Sequence, residues 1–169
     1  METKSLCRWR DMSTFIRVFC RRSLSITQAD VAEFIRDGIF FGQPLTFEPP
    51  NAPERVGQAD WENLSISYDR ERRPIIVWRH SRGAILASDI AEALEVLSSA
   101  DAPGVSDLVE RLQNSSVVYA FEVSEDSLSD DAWTMLDALE AHLARTCDGI
   151  VYAPGDGFFD ADLRPIAAS

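Results

Sequence analysis

The sequence predicts an α+β fold, a single domain with a mostly antiparallel sheet covered by three to four helices, and three observations carry that reading. Blocks in which β-branched and aromatic residues alternate with period two interleave with blocks of helical spacing. The resulting order, β-α-β-β-β-α-α-β-α-β-β, is neither a strict βαβ alternation nor an all-β pattern. The central string SISYDRERRPIIVWRHS reads as a hairpin and commits that part of the sheet to antiparallel pairing.

Residues 1–11 hold the only lysine, Lys4, with Arg8 and Arg10, and read as a loose basic arm ahead of a domain spanning 12–169. From Phe15 to Arg21, Phe15, Arg17, Phe19 and Arg21 fall on one side and Ile16, Val18 and Cys20 on the other, which predicts a strand. Thr27, with Asp30 three places on and then Val31, Phe34 and Ile35 before Gly38, predicts a capped helix with a glycine stop. Ile39 to Phe47 reads as a further strand, running into the proline-rich loop EPPNAPERVGQAD.

Leu64, Ile66 and Tyr68 alternate with Ser65 and Ser67, Asp69 to Arg73 supply a turn, and Pro74 to Arg79 return as an apolar strand. One face of this ribbon is expected to be buried and the other wet. Ser88 is the expected N-cap of a helix with Asp89 and Glu92 in its first turn and Ile90, Leu94 and Leu97 facing the core. Beyond SADAPG, Val105, Leu108, Val109 and Leu112 mark a short helix. Val117 to Val123, apolar on both faces at its start, predicts a central strand.

The last helix opens at Ser129 with Asp130 and Asp131. It carries Ala132, Met135, Leu136, Leu139, Leu143 and Cys147 on one stripe and is expected to stop at Gly149. Short strands at Ile150 to Ala153 and Gly157 to Phe159 flank the turn Pro154-Gly155-Asp156, and Asp160-Ala161-Asp162 offers another turn before Leu163 to Ile166.

A chain of 169 residues buries roughly 70% of its unfolded surface, so neither a metal nor a disulfide is needed to hold it together. The longest apolar runs, Ile75 to Trp78 and Val117 to Phe121, fall far below the ~20 residues that cross a bilayer. The N-terminus METKSLCRWRDMSTF lacks an apolar signal region. With Cys7, Cys20 and Cys147 showing no paired spacing, the expectation is a cytoplasmic protein with free thiols.

The charge is concentrated. Residues 1–86 carry 13 Lys+Arg against 11 Asp+Glu, whereas residues 87–169 carry 3 against 17, within an overall net charge of −12. Such a field repels nucleic acid and anionic lipid and attracts cationic partners over roughly a Debye length.

No catalytic signature emerges. Cys147 closes a helix, where the dipole is expected to raise its pKa and weaken it as a nucleophile. His142 and Cys147 are too few to hold zinc, His142 reads as a packed or solvated histidine, and His80 reads as a surface residue at a strand end. Phosphate-loop, dinucleotide and nucleophile-elbow patterns are absent. The string PGDGFFDAD lacks EF-hand spacing, and its aspartates are ordinary turn residues. Arg70, Arg72, Arg73, Arg79 and Arg82, with Tyr68 and Trp78, are a candidate phosphate or single-strand platform, opposed by the overall charge. The alternatives are a solvated hairpin whose arginines pair with the acidic half, and self-association through opposite charges. No cofactor and no metal are predicted.

The opening STFIRVFC, the hairpin SISYDRERRPIIVWRHS, and the ending CDGIVY followed by DGFFD resemble small uncharacterised bacterial proteins that end in a "gGlIq-DGeGFyd" hairpin, and polymorphic-toxin immunity proteins with a "G-L-[IV]-Y-D-P" ending. Here Pro154-Gly155 stands where an acidic or polar pair is usual. The resemblance implies a bacterial α+β protein that works by binding, and it transfers no site residues.

The functional expectation is therefore an acidic protein-binding module, an immunity or antitoxin-like inhibitor of a basic toxin, with a non-catalytic subunit of a bacterial or phage assembly as the alternative. The candidate partner-binding residues are Glu122, Glu125, Asp126, Asp130 and Asp131 near the strand-helix junction, and Asp156, Asp160 and Asp162 on the terminal turns, because loops on a rigid scaffold are where binding groups concentrate.

Overall fold

A computed structural model of the chain describes residues 13–50, 52 and 59–168; the expected basic arm, 1–11, lies outside them. Eight strands form one antiparallel sheet: β1 (Thr14–Cys20), β2 (Thr46–Glu48), β3 (Asn63–Ser67), β4 (Ile75–His80), β5 (Val117–Val123), β6 (Gly149–Ala153), β7 (Gly157–Phe159) and β8 (Pro165–Ala167). Their spatial order is β2-β3-β4-β5-β1-β6-β7-β8. The helices are α1 (Gln28–Asp37), α2 (Gly83–Ser98), α3 (Val105–Gln113) and α4 (Asp130–Cys147). The predicted α+β class and antiparallel sheet are what the structure has.

Alternation along the strands builds two cores. Ile16, Val18 and Cys20 of β1, with Tyr119 and Phe121 of β5, face α1 and α4, whereas Phe19 and Val118 face α2 and α3. The sheet is thus the middle of three layers. β5, buried along nearly its whole length, lies between β4 and β1, as its two apolar faces predict. β3 alternates buried and half-buried residues, giving the hairpin its one dry face.

The helix ends follow local chemistry. Thr27 Oγ1 accepts from the Asp30 amide at 3.0 Å, and the Asp30 carboxylate accepts from the Thr27 amide at 2.7 Å, which completes a capping box at α1. Ser129 Oγ accepts from the Ala132 amide at 3.2 Å and caps α4. The six stripe residues from Ala132 to Cys147 are all buried. Leu136 is fully enclosed, so Leu136→Ala is expected to cost about 2–5 kcal/mol in denaturant unfolding. An unchanged midpoint would reject the assigned packing.

Three expectations fail. Only Thr46–Glu48 of the segment from Ile39 to Phe47 is a strand. Ile39 takes φ +49 and is 82% exposed, while Phe40, Phe41 and Leu45 reach down onto the core, so an apolar run without strict alternation forms a folded cover instead. α2 begins at Gly83 rather than after Ser88, which leaves Ser88 exposed within the helix. Asp89 is consequently not in its first turn and is buried with Ala93 and Leu97, while Ile90 and Leu94 are only half-buried. Lastly, Asp148 in a left-handed conformation, φ +54, ends α4, and Gly149 already belongs to β6.

Candidate functional site

α4 crosses the face of β1 and β6 with Trp133, Asp137 and Glu140 at i, i+4 and i+7, so the three side chains share one side of the helix. That side looks onto Ile16 of β1, Val151 and Ala153 of β6, and Phe159 of β7, across a cavity of ≈ 460 Å³. Thr14, Glu125, Pro154, Asp156 and Leu163 complete its lining. The volume lies in the range of small-molecule pockets. Of the twelve described lining residues four are carboxylates and none is a cation.

Glu140 is the unusual member. Only 4% exposed, it has a buried Oε1 without a hydrogen-bond partner among the described residues. Burial, and secondarily the charge of Asp137, pushes its carboxyl up to about 8. At neutral pH it is mainly protonated. Asp137, nearer the rim, is also raised by desolvation. Glu125, in the 3-10 turn Glu125–Ser127 that leads into α4, and Asp156, in the β6–β7 turn, are exposed. Among the described residues neither carboxylate accepts a hydrogen bond or joins an ion pair. Such an arrangement suits a ligand that is cationic and donates N–H groups. Among the described residues no cluster of three or more His, Cys, Asp or Glu has metal-binding geometry.

The eight sequence-predicted residues divide. Glu125 and Asp156 line the cavity. Asp126, Asp130 and Asp131 are exposed beside it in sequence, at the 3-10 turn and the start of α4. Asp160 folds its own turn, accepting from the Asp162 and Arg164 amides at 2.9 Å each, which depresses its pKa. Asp162 pairs with Arg145 at 2.9 Å. Glu122 projects to the opposite face of the sheet, where it accepts from the Trp78 indole at 2.8 Å. Glu140, the buried acid, and Asp137, exposed on the same side of α4, were not among the eight.

A second polar cluster lies on the α2 face. Arg17 Nε meets Asp89 at 2.9 Å and its Nη2 meets Glu92 at 2.9 Å, while His80 Nδ1 binds the other Asp89 oxygen. His80 is therefore mostly buried, against the expected surface position. Arg21 pairs with Asp148, so Arg17 and Arg21 from the first half of the chain are neutralised by the acidic half. The hairpin platform does not assemble: Tyr68 is buried and donates to the Ser127 carbonyl at 3.3 Å, Arg72 donates to the same carbonyl at 2.6 Å, and Trp78 is held by Glu122. His142 is packed, stacked on Phe34 at 4.2 Å, and burial lowers its pKa.

Cys20 and Cys147 are free, buried thiols that share a hydrogen bond. That bond and burial push Cys20 up, whereas the same bond lowers Cys147, contrary to the rise expected at a helix C-terminus.

No known protein family, curated protein or solved structure matches the chain.

Proposed function

We propose that the chain is an acidic protein-binding module, an immunity or antitoxin-like protein that neutralises a basic toxin by covering its cationic surface. The observation that carries this reading is the cavity between α4 and β6–β7, with Glu125, Asp137, Glu140 and Asp156 in its lining and no cation beside them among the described residues. A basic nuclease, which holds phosphate with clustered Arg and Lys, is the kind of partner such a surface attracts. Complementary charge acts mainly on the rate of encounter.

Asp160 and Asp162 are occupied by their own turn and by Arg145, so the informative variant is Glu125→Gln combined with Asp137→Asn and Asp156→Asn. Capture from the native host, read by mass spectrometry, is expected to retain a basic protein on the wild type. The triple variant should associate with it about tenfold or more slowly at low salt. The wild-type rate should fall steeply as salt rises. A captured partner that binds the triple variant at the wild-type rate, with no salt dependence, would remove the support for this reading.

A further inference from the structure

We infer that the cavity is a receptor for one guanidinium side chain, an arginine of the partner inserted between Trp133 and the carboxylates of Asp137 and Glu140. This rests on the binding reading above and specifies its chemistry. Four features of the cavity point to that ligand. Among the described residues its lining carries carboxylates and no basic side chain, which suits a cation. The described residues include no metal-ligating cluster, which favours an extended organic cation over a bare ion.

Glu140 Oε1 is a buried acceptor with no donor among the described residues, and an unsatisfied buried polar group is costly until a donor reaches it. A guanidinium brings five N–H donors in a planar fork that matches carboxylate geometry, which an ammonium does not. Trp133 lines the same space and offers the aromatic face on which a guanidinium stacks.

Binding is coupled to a proton. The charged or titratable groups in the lining are Asp137 from α4, Glu125 from the 3-10 turn and Asp156 from the β6–β7 turn; β1 and β6 contribute only Thr14, Ile16, Val151 and Ala153. All are anionic or neutral, so among the described residues no lining group stabilises ionised Glu140, and an entering cation would. As the guanidinium arrives, the Glu140 carboxyl releases its proton to solvent and the resulting carboxylate accepts the N–H donors. Affinity then rises with pH over the range in which free Glu140 would otherwise stay protonated.

The test uses N-acetyl-arginine amide as the probe and N-acetyl-citrulline amide, its neutral isostere, as the control, each titrated into the full chain while ¹H–¹⁵N spectra are recorded. The Trp133 indole signal is identified with Trp133→Phe. The arginine amide is expected to shift that signal saturably, and the citrulline amide is not. Apparent affinity should rise about tenfold or more from pH 6 to pH 9 in the wild type, and should lose that pH dependence in Glu140→Gln. Glu140→Gln is expected to fold at least as well as the wild type, so loss of the dependence cannot be ascribed to unfolding.

Equal shifts from both amides, no saturable shift at Trp133, or an unchanged pH profile in Glu140→Gln would each overturn the inference. These outcomes are separable from failure of the broader reading. A captured basic partner that still depends on Glu125, Asp137 and Asp156, while the arginine amide ignores the cavity, removes only the guanidinium receptor.

Discussion

At pH 9, Glu140→Gln is expected to be more stable than the wild type by roughly 3–5 kcal/mol, with the difference vanishing near pH 4. The reasoning follows the proton. The Glu140 carboxyl ionises near its ordinary 4.5 in the unfolded chain and near about 8 in the folded one, because burial disfavours its charge. Between these values the folded state holds a proton that the unfolded state has lost, so stability falls as pH rises through that window and levels off above it. Glutamine keeps the shape and cannot ionise. Its curve should therefore stay flat where that of the wild type declines. Urea unfolding of both proteins from pH 4 to pH 9 measures the difference directly, and parallel curves would show that Glu140 does not ionise from a buried position.

Asp89→Ala should have the largest destabilising effect among the surface-distant charges, about 3 kcal/mol. Asp89 is buried, its Oδ1 is 2.9 Å from Arg17 Nε and its Oδ2 binds His80. Removing it leaves a guanidinium that is only 12% exposed with Glu92 as its remaining acid. Glu92 is more than half exposed, so Glu92→Ala is expected to change stability by no more than about 1 kcal/mol. Denaturant midpoints that move equally in the two variants would show that burial does not set the strength of this cluster.

The sheet was legible where periodicity and capping agreed. Thr27 with Asp30, the stripe from Ala132 to Cys147, and the doubly apolar Val117 to Val123 each pair a local rule with a tertiary need, and each formed as read. α2 was misread because Gly83 opens it at φ +75 and Arg82 caps it without a side-chain hydrogen bond, so the attractive signal at Ser88 stood inside the helix. Ile39 to Phe47 misled because apolar residues can reach a core from an irregular backbone.

The site was half legible. Glu125 and Asp156 sit on turns, where charge density is visible in sequence. Glu140 lies in line with Leu136 and Leu143 at helical spacing, and a carboxylate on an otherwise apolar stripe was the available signal. What sequence could not supply is the crossing of α4 over β1 and β6, which brings α4, the β6–β7 turn and Phe159 around one space.

β1 is first in the described chain and lies between β5 and β6, paired along Cys20↔Val117 and Cys20↔Gly149. Its partners therefore leave the ribosome long after it does: at roughly 5–20 residues per second, the start of β5 follows the end of β1 by about 5–20 s. Throughout that interval Phe15, Ile16, Val18 and Phe19 have neither neighbour available, and the ladder must then close across nearly a hundred intervening residues. A topology so rich in distant pairings folds slowly compared with a helical bundle of the same length. Synthesis thus leaves an apolar, β-forming segment without either strand neighbour until β5 and β6 emerge, the interval in which an unpaired strand is most open to other nascent chains.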